Sequence, residues 1–155
     1  MMETTNIYVI LHSIALANLA VDGELDFFDH LMHLSLQQRK RCLQYILELC
    51  TQRENFNVKL VYGCLVADFQ YAETQCIFLS DTICYVRLHT ENRKNNLAVF
   101  HHPDMKIIFL RFFEHMWSKK RKVIREETEE ICAFIQEAIQ RVDILDRASK
   151  EKETD

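Results

Sequence analysis

Hydrophobic positions recur along this chain with two different periods, and the change between them divides it into elements. From Ser35 to Cys50 the residues Leu36, Cys42, Leu43, Ile46, Leu47 and Cys50 return at helical intervals, with Gln37, Arg39, Lys40, Gln44 and Glu48 opposite them. Ser35, followed three residues later by Gln38, is the capping box that starts this helix. From Asn57 the period falls to two: Val58, Leu60 and Tyr62 share one side and Lys59 takes the other. Gln75 to Leu79 and Ile83 to Leu88 are β-rich runs joined by Ser80-Asp81-Thr82, a hairpin-like connection. A polar loop, Thr90 to Asn96, leads to the apolar run Leu97 to Phe100, a further strand. His101-His102-Pro103 ends it, because proline cannot donate to a ladder and drives the residue before it out of the helical region. Met105, Ile108, Phe109, Phe112, Phe113, Met116 and Trp117 then mark one face of a helix laid back over the sheet.

The two ends carry weaker signals. Ile7 to Leu11 is β-branched and aromatic enough for a strand, but strand and helix stay open there. Ile14 to Val21, with three alanines, suits a helix, which Asp22-Gly23 stops. Leu25, Phe28, Leu31 and Met32 are spaced for another helix over Glu24 to Leu34. At the far end, Ile124, Thr128, Ile131, Ile135, Ala138, Val142 and Leu145 alternate steps of four and three, a heptad seam about three repeats long. Either this helix packs on its own domain, or two copies pair through the seam as a homodimer. Residues 146–155 are too polar to pack and are expected to be disordered. The expectation is one α/β (α+β) domain over 1–145. Its central sheet has about four to five strands, partly antiparallel, flanked by helices, with a long C-terminal helix over 124–145.

Composition narrows this further. A chain of 155 residues with 48% hydrophobic and 27% charged residues can bury a single core. Two glycines and one proline are too few for an all-β fold, which consumes both at its turns. A net charge of −4 gives no general attraction to nucleic acid or to anionic lipid. No apolar run approaches the roughly 18 residues of a membrane span, and the start lacks a basic n-region, so a cytoplasmic protein is expected. The six cysteines form no C-x-x-C pair and sit among apolar residues, which reads as reduced, mostly buried thiols.

Little chemistry is written into the chain. With Gly23 and Gly63 as its only glycines, phosphate-cradling loops and the G-x-S-x-G elbow are excluded. Asp26, His30 and His33 would share one side of a helix at metal-ligand spacing, but polar-face residues beside Phe27 and Phe28 account for them, and neither a metal nor a cofactor is expected. His101 and His102, at a turn before a helix, are candidate ligand-binding residues together with Trp117, against a plain reading as turn residues. The basic run Lys119 to Arg125 would suit phosphates, but the glutamates one turn later favour a solvated helix end, and direct nucleic-acid contact stays open.

The order of elements over about residues 56 to 120 resembles a known family. VKLVYG, QCIFLSDTICYVRL, a polar loop and LAVFHHPDMKIIFLRFFEHMWSKK are similar to the C-terminal effector domain of some prokaryotic transcriptional regulators, a domain related in fold to phospholipase D. The likeness rests on the short Asp turn Ser80-Asp81-Thr82, the LAV strand, the proline turn, and a helix ending in Phe113, Met116 and Trp117. It implies a non-enzymatic regulatory domain that binds a ligand or a protein partner; the alternatives are a DNA-binding transcriptional regulator, or an enzyme of unrecognised type using His101 and His102. The phospholipase signature H-x-K-x4-D is absent, since His89 is followed by Thr90-Glu91, and no evident helix-turn-helix accompanies the domain.

Overall fold

A computed structural model describes residues 6–27, 30–61, 74–79, 84–88, 96–118 and 124–153. The chain divides into two compact units where a single domain was expected: Met1–Gly63 with Lys122–Asp155, and Cys64–Arg121.

The first unit begins with β1 (Ile7–His12), which settles the ambiguous start as a strand, and continues directly into α1 (Ser13–Val21). Gly23, at φ 66°, supplies the left-handed residue that turns the chain out of the helix. The expected helix over Glu24 to Leu34 is instead a hairpin of β2 (Glu24–Phe27) and β3 (His30–His33). The same letters also alternate with period two, Glu24 and Asp26 against Leu25 and Phe27, and this short run follows a turn. The antiparallel register sets Glu24 opposite His33 and Leu25 opposite Met32, and the Leu34 N–H donates to the Gly23 carbonyl to close the base. Helix α2 (Leu36–Gln52) starts at Ser35 with the expected capping box: the Gln38 N–H donates to Ser35 Oγ at 3.3 Å, and the Ser35 N–H to Gln38 Oε1 at 2.9 Å. Arg39 ties the end of α1 to this start. Its guanidinium donates to the Leu34 carbonyl at 2.9 Å and to the Val21 carbonyl at 2.6 Å, satisfying an acceptor that the helix end leaves without a partner.

Strand β4 (Phe56–Val61) runs parallel to β1, from Ile7 opposite Phe56 to His12 opposite Val61. The crossover between them holds α1, the hairpin and α2, as a parallel pair requires. After the second unit the chain returns as β8 (Ile124–Arg125), antiparallel to β4, and as α4 (Thr128–Glu153). Leu16, Ala20, Leu43, Leu60, Ile131, Ile135, Ala138 and Val142 form the buried core under α1, α2, α4 and β4.

The second unit holds β5 (Thr74–Leu79), β6 (Cys84–Leu88), β7 (Asn96–Phe100) and α3 (Pro103–Ser118). The three strands form an antiparallel sheet in the order β5-β6-β7, and α3 packs against β5 and β6. Phe100 stacks on Phe109 with ring centroids 5.6 Å apart, fixing the start of the helix against its preceding strand. Ser80-Asp81-Thr82 and most of the 90–96 loop lie outside the described residues. The α/β class therefore stands, with a long C-terminal helix. The single sheet of four to five strands is replaced by smaller ones: β1-β4-β8, the hairpin β2-β3, and β5-β6-β7. Parallel and antiparallel pairing both occur. Helix α4 also passes the expected limit at Leu145 and carries the polar run to Glu153, where Lys150 pairs with Asp146 one turn earlier at 2.6 Å.

Candidate functional site

The residues singled out from sequence do not converge. His101 and His102 are exposed, and His102 caps a helix: its Nδ1 accepts the Asp104 N–H at 3.3 Å, and its carbonyl accepts the Lys106 N–H at 3.3 Å. These bonds serve the first turn of α3, whose first residue, Pro103, has no N–H to satisfy. The Asp104 carboxylate lies 3.6 Å from the same ring nitrogen. Trp117 lies fourteen residues along the helix from Pro103, about 21 Å at the usual rise. It is half-buried and stacks on Phe113 at 5.8 Å. These three residues form no common site.

The heptad seam is taken up inside the chain. Ile131 and Ile135 are fully buried, and Ala138 and Val142 nearly so, against α1, α2 and β4. A residue already enclosed by its own unit has no face left for a second copy, so an assembly seam through these positions is corrected to a core seam. Leu145 is half-buried, and Ile124 is not on the helix at all: it lies in β8 opposite Val61. The helical spacing that put Asp26, His30 and His33 on one side does not exist, since the hairpin register sets Asp26 opposite Leu31 and His33 opposite Glu24. Among the described residues no group of three or more His, Cys, Asp or Glu is placed to hold a metal. Residues 119–123 of the basic run lie outside the described residues.

Two features went unnoticed in the sequence. One is the carboxyl end of the parallel pair, where His12 ends β1 beside Val61 and precedes the first turn of α1. Partial burial holds the His12 imidazole below the ordinary histidine value, so it is the neutral ring, with one donor and one acceptor, that stands there near neutral pH. Ser13 beside it is the only buried polar side chain among the described residues, at 7% exposed. The only signal for the pair was its position where an apolar run meets a helix, and that junction could not be located while β1 was ambiguous.

The other feature is β1 itself. Among the described residues it pairs with β4 alone, at one end of the β1-β4-β8 sheet, yet Ile7 to Leu11 contains no charged residue. Uninterrupted apolar runs belong to parallel strands covered on both faces. Here no residue of the strand is fully buried; Ile7 and Tyr8 are 48% and 50% exposed. Edge strands are normally guarded by charge, proline or a bulge, and none of these interrupts Ile7 to Leu11 or its regular register with β4. No helix among the described residues is long and apolar enough to cross a membrane. No family model, no curated protein and no solved structure matches the chain.

Proposed function

We propose that the chain is a non-enzymatic regulatory module, as its resemblance to regulator effector domains suggests, and that it works as a homodimer joined through β1. The observation that carries this reading is the apolar, uncharged run of β1, which among the described residues pairs with β4 alone. Such a strand is a template for strand addition, and a second copy presents the same strand. Antiparallel pairing of two β1 strands about a two-fold axis is self-complementary and would join the two β1-β4-β8 sheets into one of six strands. The strand brings no like charges together, because Ile7 to Leu11 carries none. Ile7 and Tyr8, 48% and 50% exposed, would lose solvent contact in such a pair.

The test follows from the ladder. The Ile7 N–H donates to the Asn55 carbonyl beside β4, so by alternation Ile10 directs its backbone groups away from β4. Ile10→Pro removes an outward donor while leaving the β1–β4 ladder in place. The expected result is a dimeric wild type by light scattering and a monomeric Ile10→Pro variant with unchanged far-UV circular dichroism. Ile7→Lys, which places a charge on the same strand, should act likewise. A wild type that stays monomeric at tens of micromolar would sink the homodimer.

A further inference from the structure

Helices α2 and α4 pack side by side, and their contacts fix both direction and register. Lys40 Nζ lies 2.5 Å from Asp143 Oδ1, and Leu36, Gln37, Lys40, Val142, Asp143 and Asp146 line one groove between the helices. Residues early in α2 thus meet residues late in the buried part of α4, as in an antiparallel pair. Ten residues along α2 from Lys40 is Cys50, and eleven residues back along α4 from Asp143 is Cys132. At 1.5 Å per residue those steps are about 15 and 16.5 Å, so the two cysteines stand at one level. Their faces agree as well. Cys50 is seven residues, two turns, beyond the fully buried Leu43 and packs against the core. Cys132 is seven residues before Ile139, which packs against the same core, and eleven before Asp143, which pairs with α2. Facing Cα atoms on helices in ordinary contact fall near the roughly 4.4–6.8 Å that a disulfide spans. Both thiols are free and half-buried. Burial raises Cys132 and pushes Cys50 up to about 11, with the nearby Cys132 as the second cause.

We propose that Cys50 and Cys132 are a redox-responsive pair that closes to an inter-helix disulfide when the protein meets a small-molecule disulfide. One protein thiolate attacks a sulfur of the small disulfide, forming a mixed disulfide and expelling one small thiolate, which takes up a proton. The second protein thiolate then attacks the protein sulfur of the mixed disulfide and expels the other small thiolate. The balance is two protein thiols to one protein disulfide and one small disulfide to two small thiols. Two electrons and two protons pass to the small molecule. Because the attacking species is the thiolate and both thiols are held high, closure is slow at neutral pH and accelerates about tenfold per pH unit below the thiol pKa. The bond clasps the last turn of α2 to the second turn of α4 and encloses residues 51–131, the whole second unit included.

The experiment treats the full reduced chain with excess glutathione disulfide at pH 7.5 and 8.5, blocks remaining thiols with N-ethylmaleimide, and maps peptides. The expected product carries a Cys50–Cys132 cross-link, forms about tenfold faster at the higher pH, and raises the melting temperature by roughly 5–15 °C. Cys42→Ser should leave the cross-link intact, while Cys50→Ser and Cys132→Ser should abolish it with unchanged circular dichroism. Six alkylated cysteines after prolonged oxidation, a map dominated by other pairings, or mixed disulfides that never resolve would each overturn the proposal.

Discussion

Helices α3 and α4 announce themselves in the same way, by apolar residues at intervals of three and four, and they end in different surroundings. Along α4, Ile131, Ile135, Ala138 and Val142 are closed off by α1, α2 and β4. Along α3, none of the described side chains is fully buried: Phe109, Phe112 and Phe113 are half-covered, while Ile107, Ile108 and Leu110 stand 46–57% in solvent. Helical periodicity reports that a face is apolar. It does not report what covers that face, or how completely.

The largest expected effect separates the two helices directly. Ile135→Asp places a charge in a closed core and should cost more than about 4 kcal/mol, enough to unfold a domain of ordinary stability. Ile108→Asp on α3 should change stability by less than about 0.5 kcal/mol. Thermal unfolding followed by circular dichroism checks both. A folded Ile135→Asp monomer derived from a wild-type dimer would return the seam to an interface between copies and break the comparison.

The same contrast explains what was legible in the sequence. Helix α2 was readable from end to end because local and tertiary signals agree there: the Ser35 and Gln38 cap sets its start, and its apolar stripe is the one that packs. The α4 seam was half-readable. Its spacing named the buried residues, but spacing alone cannot tell whether the facing apolar surface comes from α1 and α2 or from a second copy. It also ran one step too far, since Ile124 fits the heptad and yet pairs with Val61 in a strand. The hairpin was misread because its few apolar residues fit both periods, and no local rule chooses between them. Its strands are chosen by the base that Gly23 and Leu34 close, a contact across ten residues. The separate small sheets were illegible for a related reason: strand pairing is long-range, and short strands carry no mark of their partner. Nothing local distinguished His102 as a helix cap from His102 as a ligand-binding residue.

The junction of α1 and α2 offers a middle-sized effect. Arg39 reaches over Gly23, and a Cβ built on that glycine would collide with the guanidinium. Gly23→Ala therefore meets two costs at once, a left-handed backbone at φ 66° and the displacement of a side chain that holds the Leu34 and Val21 carbonyls. A loss of about 2–3 kcal/mol is expected from urea unfolding. Arg39→Met should lose less, and Gly23→Ala should cost less on that background than alone, because its steric target is gone and only the left-handed backbone cost remains. Full additivity of the two substitutions would show that Arg39 and Gly23 act independently. Ser35→Ala tests the local end of the scale and should cost about 1 kcal/mol, because one first-turn N–H of α2 loses its acceptor.

The smallest effect belongs to His12, and its sign is fixed by the direction of its shift. Partial burial lowers its pKa in the folded state below the unfolded value of about 6.5. Near pH 6 the unfolded chain then binds more protons at this position than the folded chain, so stability rises with pH. The contribution is present in full above about pH 6.5 and is lost as pH falls through the folded pKa. Urea midpoints measured from pH 7.5 down to 5.0 on wild type and His12→Asn should separate this contribution, because every other titrating group is common to both. The wild type is expected to lose more stability on acidification than the variant. Equal losses would mean that the ring at the end of β1 is as well solvated in the folded chain as in the unfolded one. The carboxyl end of the parallel pair would then be an ordinary surface, as open to water as the outer face of α3.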